Sequence, residues 1–568
     1  MLRREQQVVL ALLLNKVLTA EKKLHLKLEF CIQNNNMKKL MLAILLLLFF
    51  ACSNDESEMN NDLHTKSEIL YEDEIVLGEK LPNPYSVLNM KEALTILKNR
   101  GVNTTGIEVE TTDVYVRFLP VDTSQLEQLN SNKDIVFFDY PLDYEVLKYG
   151  SYYHDPSITE NEYTWLYTTV PSDFQYPENI QYEKLEDCFI PKDDAPESDT
   201  PSVLDLLEEA SFERLGLLEK FSEKTDDTKG IFGTSVYPKG TLKVYDTENR
   251  IYEPIKGVKV VGHVIVKWAS GYTNESGYYS LNKKFSMNVA YSINYENTKG
   301  FTVRYPIFYG IHLMGVHNKN GYSKNIPNGS VAWALSTINN ATYDYYKMCS
   351  NTGISLPPSS LKILLINGFT SSSAAMLPRV WHPVGLNSNS AWSNFFLNIF
   401  VGLPATIINN TILKLVAPDI TIGYKNNSSS SYSLYNSTNH ELAHASHFKN
   451  VGSEYWAKYI SYIITYSPYG DITKNNSGIC GVGEMWGYSI GNIQTKEKYG
   501  YPIDHGYEYW FKTIILQELI SQNHLTKKQV FSCLTDDVKS HADLKQKLIE
   551  KYPTKQIIIN EKFTENGF

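Results

Sequence analysis

His440 and His444 stand four residues apart in Ser437-Thr438-Asn439-His440-Glu441-Leu442-Ala443-His444-Ala445-Ser446-His447. On an α-helix that interval is about one turn, so both imidazoles leave one face and can converge on a single metal ion. Glu441, beside the first histidine, then lies next to the metal, where its carboxylate can take a proton from bound water. A hydrolytic site of this kind needs a third protein ligand and an open position for water. Three residues compete for that third place. His447 lies on the same helix, turned to a neighbouring face, and Glu454 follows His444 at some distance. Glu484, in Gly481-Val482-Gly483-Glu484-Met485-Trp486-Gly487-Tyr488, starts a second helical segment and is the best candidate. Tyr488, one turn after Glu484, is a candidate donor to a developing oxyanion, with His447 and His505 as rivals.

The elements around these residues must form a rigid frame. Ser437-Thr438-Asn439 reads as the N-cap of the histidine helix, and the small Ala443 and Ala445 let a second helix approach closely. Upstream, the apolar spacing of Val331, Leu335, Ile338 and Tyr345 predicts a helix over 330–350. Buried strands are expected at 361–366 and 420–424, a Gly/Ser-rich loop at 368–374 and a polar connector at 428–433. Helices at 511–521 and 538–551 are expected to buttress the site helix, and Trp456 and Trp486 to be core residues.

Residues 430–495, through His440-Glu441-x-x-His444 and the later Glu484, resemble the gluzincin metallopeptidases. The resemblance implies a mainly helical, zincin-like domain over 306–568 and a Zn2+ ion held by His440, His444 and Glu484. It also implies Glu441 as general base and acid, and a peptide or protein as substrate.

Residues 236–305 change character to short alternating strands separated by turn signals, which predicts a small β-sandwich. Gly257-Val258-Lys259-Val260, Thr273-Asn274-Glu275-Ser276-Gly277-Tyr278 and Tyr291-Ser292-Ile293 resemble the signature of the carboxypeptidase regulatory-like domain, a transthyretin (prealbumin)-like accessory fold. Residues 67–222 read as a small α/β domain ending in a linker and a helix. It has a helix at 91–98, a strand at 113–119, a helix at 124–130, a strand at 135–138, a Pro/Asp-rich linker at 191–201 and a helix over 201–222. Tyr115-Val116-Arg117-Phe118-Leu119-Pro120 and Phe138-Asp139-Tyr140-Pro141 resemble an N-terminal domain of secreted Bacteroidetes lipoproteins. The chain is thus expected to be a multidomain α+β protein.

Lys38-Lys39 followed by the apolar run 40–51 and Cys52 has the layout of a secretory signal, too short to span a membrane. Phe49-Phe50-Ala51-Cys52 resembles a bacterial lipobox, which implies lipidation at Cys52 and a membrane anchor. The acidic Ser53-Asn54-Asp55-Glu56 resembles a surface-export signal, so residues 1–51 are set aside as upstream extension and leader, and 52–66 as a tether. The expected location is the bacterial outer membrane, facing outward. A net charge of −10 with scattered Lys and Arg argues against a nucleic-acid binder. Cys188, Cys349, Cys480 and Cys533 show no metal-type spacing, and free buried thiols are their simplest state. Two further function classes fit the sequence: a surface adhesion protein with a degenerate peptidase domain, and a zinc hydrolase of cell-wall material.

Overall fold

The computed structural model describes residues 74–568, apart from 160–161, 193–195, 222–233, 306–310, 381–388, 404, 406–407, 467–468 and 502–508. Cys52, the leader, the tether and His505 lie outside the described residues. The architecture is mixed α+β, with sheets in the first three quarters and helices dominating the C-terminal region.

In the N-terminal part, β1 (Val76–Lys80) pairs antiparallel with β3 (Tyr144–Lys148). β2 (Asp113–Leu119) is the centre of a second antiparallel sheet, between β4 (Leu166–Pro171) and β5 (Gln181–Cys188). Its alternating Val114, Val116 and Phe118 are buried, as the two-residue period requires. Helix α1 (Val87–Asn99) buries Met90, Ala93, Leu94 and Leu97, α2 (Thr123–Ser131) buries Leu126 and Leu129, and α3 (Val203–Arg214) packs on α1. Two expectations fail here. The run 135–138 forms no strand and makes a single bridge, Phe138 to Tyr167; its four residues are buried by side-chain packing, and a continuous apolar run does not by itself separate a strand from other buried chain. The helix expected over 201–222 is broken at Gly216, whose φ of 68° is left-handed, so Leu218–Phe221 is a separate turn.

The middle region forms two sheets. One pairs β6 (Lys239–Asp246) with β7 (Ile251–Pro254), β10 (Tyr278–Ser280) and β14 (Lys324–Ile326). The other carries β8 (Val258–Val264), β9 (Lys267–Tyr272), β11 (Val289–Asn297) and β13 (Ile311–His317). This second sheet does not stop at the expected boundary near residue 305. β12 (Thr302–Arg304) pairs with β11 and, in parallel, with β15 (Lys362–Asn367), which pairs in parallel with β16 (Ile420–Tyr424). Backbone hydrogen bonding therefore joins the middle region to the helical region, and all described residues fall in one compact unit beginning at Lys66. The four cysteines of this unit are buried free thiols. Among the described residues no helix is long and apolar enough to cross a membrane.

Helix α4 (Val331–Thr352) is capped by Ser330, whose hydroxyl accepts from the Trp333 N–H, and ends at left-handed Gly353. After β15 come α5 (Asn389–Ile399) and a π-helix (Ile408–Val416), and after β16 the long α6 (Ser431–Tyr466). α6 starts at Ser431, not at the expected cap 437–439. The Ser430 hydroxyl accepts from the Ser433 N–H, and Leu434 and Tyr435 extend the buried face, so Thr438 and Asn439 sit inside the helix. The polar connector is in fact this cap and the first turn. α7 (Ser477–Tyr499) lies along α6, and α8 (Ile514–Ser521) and α9 (His541–Lys551) pack on α7. The late helices thus back the Glu484 helix rather than the histidine helix.

Candidate metal centre

The i, i+4 spacing on α6 brings the Nε2 atoms of His440 and His444 to 3.0 Å from each other. Across the helix pair, Glu484 Oε2 lies 3.5 Å from His440 Nε2 and 3.7 Å from His444 Nε2 without hydrogen-bonding to either. Glu441 Oε1 lies 4.0 Å from His440 Nε2. His440, Glu441 and His444 offer ligand atoms within 4.8 Å of one another, so this buried group could hold a metal ion. Glu484 faces both nitrogens more closely. Bonds of about 2.0–2.1 Å in a tetrahedral zinc centre put ligand atoms about 3.3 Å apart, and the triangle of His440, His444 and Glu484 brackets that spacing.

Why the two helices come so close is written in small residues. Glu484, Gly487 and Gly491 share one face of α7. A Cβ on Gly487 would sit 2.8 Å from His444 Nε2, and one on Gly491 would sit 3.1 Å from the Asn436 carbonyl oxygen and 3.2 Å from the His440 Cβ. Gly487 therefore clears space for the imidazoles, and Gly491 for the backbone and the His440 Cβ of α6. Trp486, fully buried, donates from Nε1 to the Ala443 carbonyl and locks the register of the pair.

A break in α6 supplies the next layer. Gly452 has φ 82° and ψ 177°, and the helix resumes beyond it in a new direction. Trp456 and Tyr459 on the second half then contact the His444 ring, and the Tyr459 hydroxyl donates to Glu484 Oε1. Trp456 Nε1 donates to the Ala374 carbonyl. The expected Gly/Ser-rich loop runs beside β16: Ser373 exchanges two backbone hydrogen bonds with Thr421, at 2.9 and 2.8 Å.

Burial governs the electrostatics. Desolvation raises the Glu441 pKa to about 8, with Glu484 adding to the rise and His440 and the Ala374 backbone N–H opposing it. For Glu484 burial pulls the same way, but His444 and His440 outweigh it and hold the carboxyl well below its usual range. His440 is raised against its burial by Glu441 and Glu484, and His444 is lowered chiefly by burial. In chemical terms the site keeps Glu484 anionic and favours positive charge between it and the imidazoles.

A cavity of about 440 Å³ opens onto this group. Its lining includes His440, Glu441, His444, Glu484 and Tyr488, so the expected site residues within the described chain meet at one place. The Tyr488 ring meets the His440 ring edge-on at 4.4 Å, and its hydroxyl lies 3.0 Å from that of Tyr469, which also lines the cavity. His447 and Glu454 are elsewhere. His447 is fully buried behind His444, between the Tyr455 and Trp456 rings, with burial and His444 pushing its pKa down to about 3. Glu454 is exposed just after the Gly452 break.

Sequence reasoning passed over Tyr459, Tyr469, Gly487 and Gly491, and read 368–374 as a loop with no part in the site. Of these, only the spacing Glu484-x-x-Gly487-x-x-x-Gly491 carried a readable signal, a small-residue face on the Glu484 helix.

No family model matches the chain, and no curated protein matches it. Among solved structures, an (S)-allantoin synthase is similar at 17% identity over 22% of this chain and 47% of that one, with a TM-score of 0.13. A 9R-lipoxygenase from Cyanothece PCC8801 is similar at 8% identity over 27% of this chain and 30% of that one, with a TM-score of 0.11. The chain thus spans less than half the length of either, and similarity this slight carries no argument about fold or function.

Proposed function

We propose that the protein is a zinc-dependent peptidase, with His440, His444 and Glu484 as metal ligands and Glu441 as general base and acid. The observation that carries this reading is the triangle of His440 Nε2, His444 Nε2 and Glu484 Oε2, with sides of 3.0, 3.5 and 3.7 Å, beside a fourth group at the wall of the cavity. The residues fit a zinc ion: two imidazoles and one carboxylate, with an acceptor oxygen on Glu484 that makes no hydrogen bond. When bound, zinc supplies Lewis acidity, polarising a carbonyl and acidifying water.

The chain's own groups account for the rest. Glu441, at the cavity wall with Oε1 4.0 Å from His440 Nε2, takes the proton from the attacking water and delivers it to the departing amine. Tyr488 and Tyr469, hydroxyl to hydroxyl at 3.0 Å, offer donors for the developing oxyanion. The Ser371–Ser373 segment lines the cavity and offers polar groups to a bound peptide. Anchoring through Cys52 at an outer membrane belongs to the same proposal and rests on the lipobox-like segment alone.

The test is metal analysis and peptide hydrolysis with the chain from Ser53 onward. About one equivalent of zinc in wild type, lost in His444→Ala and Glu484→Ala, is the expected result, and zinc retained in Glu484→Ala overturns the ligand set. Glu441→Gln should keep zinc and lose hydrolysis by roughly 10²–10⁴-fold. Hydrolysis of cell-wall fragments but of no polypeptide would overturn the substrate class.

A further inference from the structure

One part of the cavity wall is made by α5, through Phe395, Asn398 and Ile399, and by Val401 just beyond it. α5 packs along the π-helix Ile408–Val416, so the position of the wall depends on that helix. A π-helix is a rare conformation, mostly found as a single turn, and nine residues of it need outside support. Its last carbonyls have no partner within the helix unless the chain supplies one, as the Ala417 N–H does for Ile412.

The support comes from the N-terminal region. Tyr163, 1% exposed, donates from its hydroxyl to the Leu415 carbonyl at 2.5 Å. Thr123, at the start of α2, lies 3.1 Å from the Tyr163 hydroxyl and 3.5 Å from the Lys414 carbonyl. One turn further along α2, Glu127 pairs with Lys362 Nζ at 2.8 Å, and the Lys362 backbone N–H bonds Asp419 Oδ2 between the π-helix and β16. Three contacts from the N-terminal region thus gather at the carboxyl end of the segment that carries the wall, two on the π-helix itself and one through Lys362 to Asp419.

We propose that the N-terminal region is a strut for the cavity wall, and that Tyr163 is its positioning residue. It holds the carboxyl end of the π-helix, and through it α5, at the distance from the metal group that a substrate side chain requires. This rests on the reading of the cavity as a substrate site, and it assigns the N-terminal region a part in substrate affinity rather than in the chemical step.

The experiment compares wild type, Tyr163→Phe and Glu127→Gln in the chain from Ser53 onward, with Tyr182→Phe on exposed β5 as control. Hydrogen exchange read by mass spectrometry over 389–416 should quicken roughly tenfold in Tyr163→Phe, since a buried carbonyl loses its donor. It should quicken less in Glu127→Gln, a half-exposed site whose substitution leaves the core intact, and stay unchanged in the control. Exchange over 431–451 and zinc content should not change. Exchange over 389–416 within about twofold of wild type in both variants overturns the strut. In hydrolysis, KM should rise severalfold with kcat nearly constant, and a fall in kcat at constant KM overturns the affinity role. A chain that binds no zinc and cleaves no peptide sinks the peptidase reading, yet the exchange result still decides whether the strut exists.

Discussion

Gly487 faces the imidazole of His444 across the α6–α7 pair so closely that a single methyl group would stand 2.8 Å from Nε2. A glycine in a helix interior costs roughly 0.5–1 kcal/mol against alanine, so its presence here trades helix stability for room at the site. The neighbour cannot swing aside, because the Trp456 and Tyr459 rings close on His444 from the other side.

Gly487→Ala should therefore leave a folded protein that binds zinc at least tenfold more weakly. Gly491→Ala, whose Cβ would meet its neighbours at 3.1–3.2 Å, should do less harm. Circular dichroism and zinc titration on both variants check this, and equal zinc affinity in Gly487→Ala and wild type would refute it.

Tyr459→Phe removes the hydroxyl that donates to Glu484 Oε1. Groups that orient a ligand carboxylate are worth about 10–100-fold in metal affinity. Zinc affinity measured by competition with a chromogenic chelator should fall by that much, with stoichiometry restored at saturating metal. Loss of stoichiometry at saturation would mean that Tyr459 holds the fold rather than the ligand.

Chelation should lower the thermal midpoint if the proposed ligand set holds, because a metal shared by His440, His444 and Glu484 would tie α6 to α7 and bind only the folded state. The shift should return with added zinc in wild type and be absent in His444→Ala. A midpoint indifferent to chelator in wild type would count against a resident metal.

Acid should destabilise the fold well above the usual carboxylate range. Burial holds His263 down to about 4, neutral between the Tyr140 hydroxyl at Nε2 and the Ile265 carbonyl at Nδ1. Burial likewise holds His541 near 4, with Nε2 on the Phe511 carbonyl. In each case the unfolded chain takes up a proton near pH 6.5 and the folded chain only near 4. The stability from these two groups is full above 6.5 and drains as pH falls through 4, by up to about 1.4 kcal/mol per pH unit for each. Melting midpoints from pH 7.5 to 4.5 should fall accordingly and fall less steeply in His263→Gln. A parallel decline in both proteins would exclude His263 as a contributor.

What the sequence determined by itself was everything that depends on a helical or strand period. Four residues make one helical turn, so His440, Glu441 and His444 could be placed together before any fold was known, and alternation alone marked Asp113–Leu119 as a strand. The rest depended on long-range packing, which no local period encodes. Glu484 comes within 3.7 Å of both imidazoles because Gly487 and Gly491 let α7 lie against α6. Tyr459 joins them because Gly452 turns the chain. Pattern also placed a boundary near residue 305, where β12 instead carries the sheet on to β15 and β16. A change of period marks where one kind of element ends, but hydrogen bonding between distant strands decides where a domain does. Only the tertiary structure could show that the N-terminal region reaches the π-helix behind the metal cavity through Tyr163.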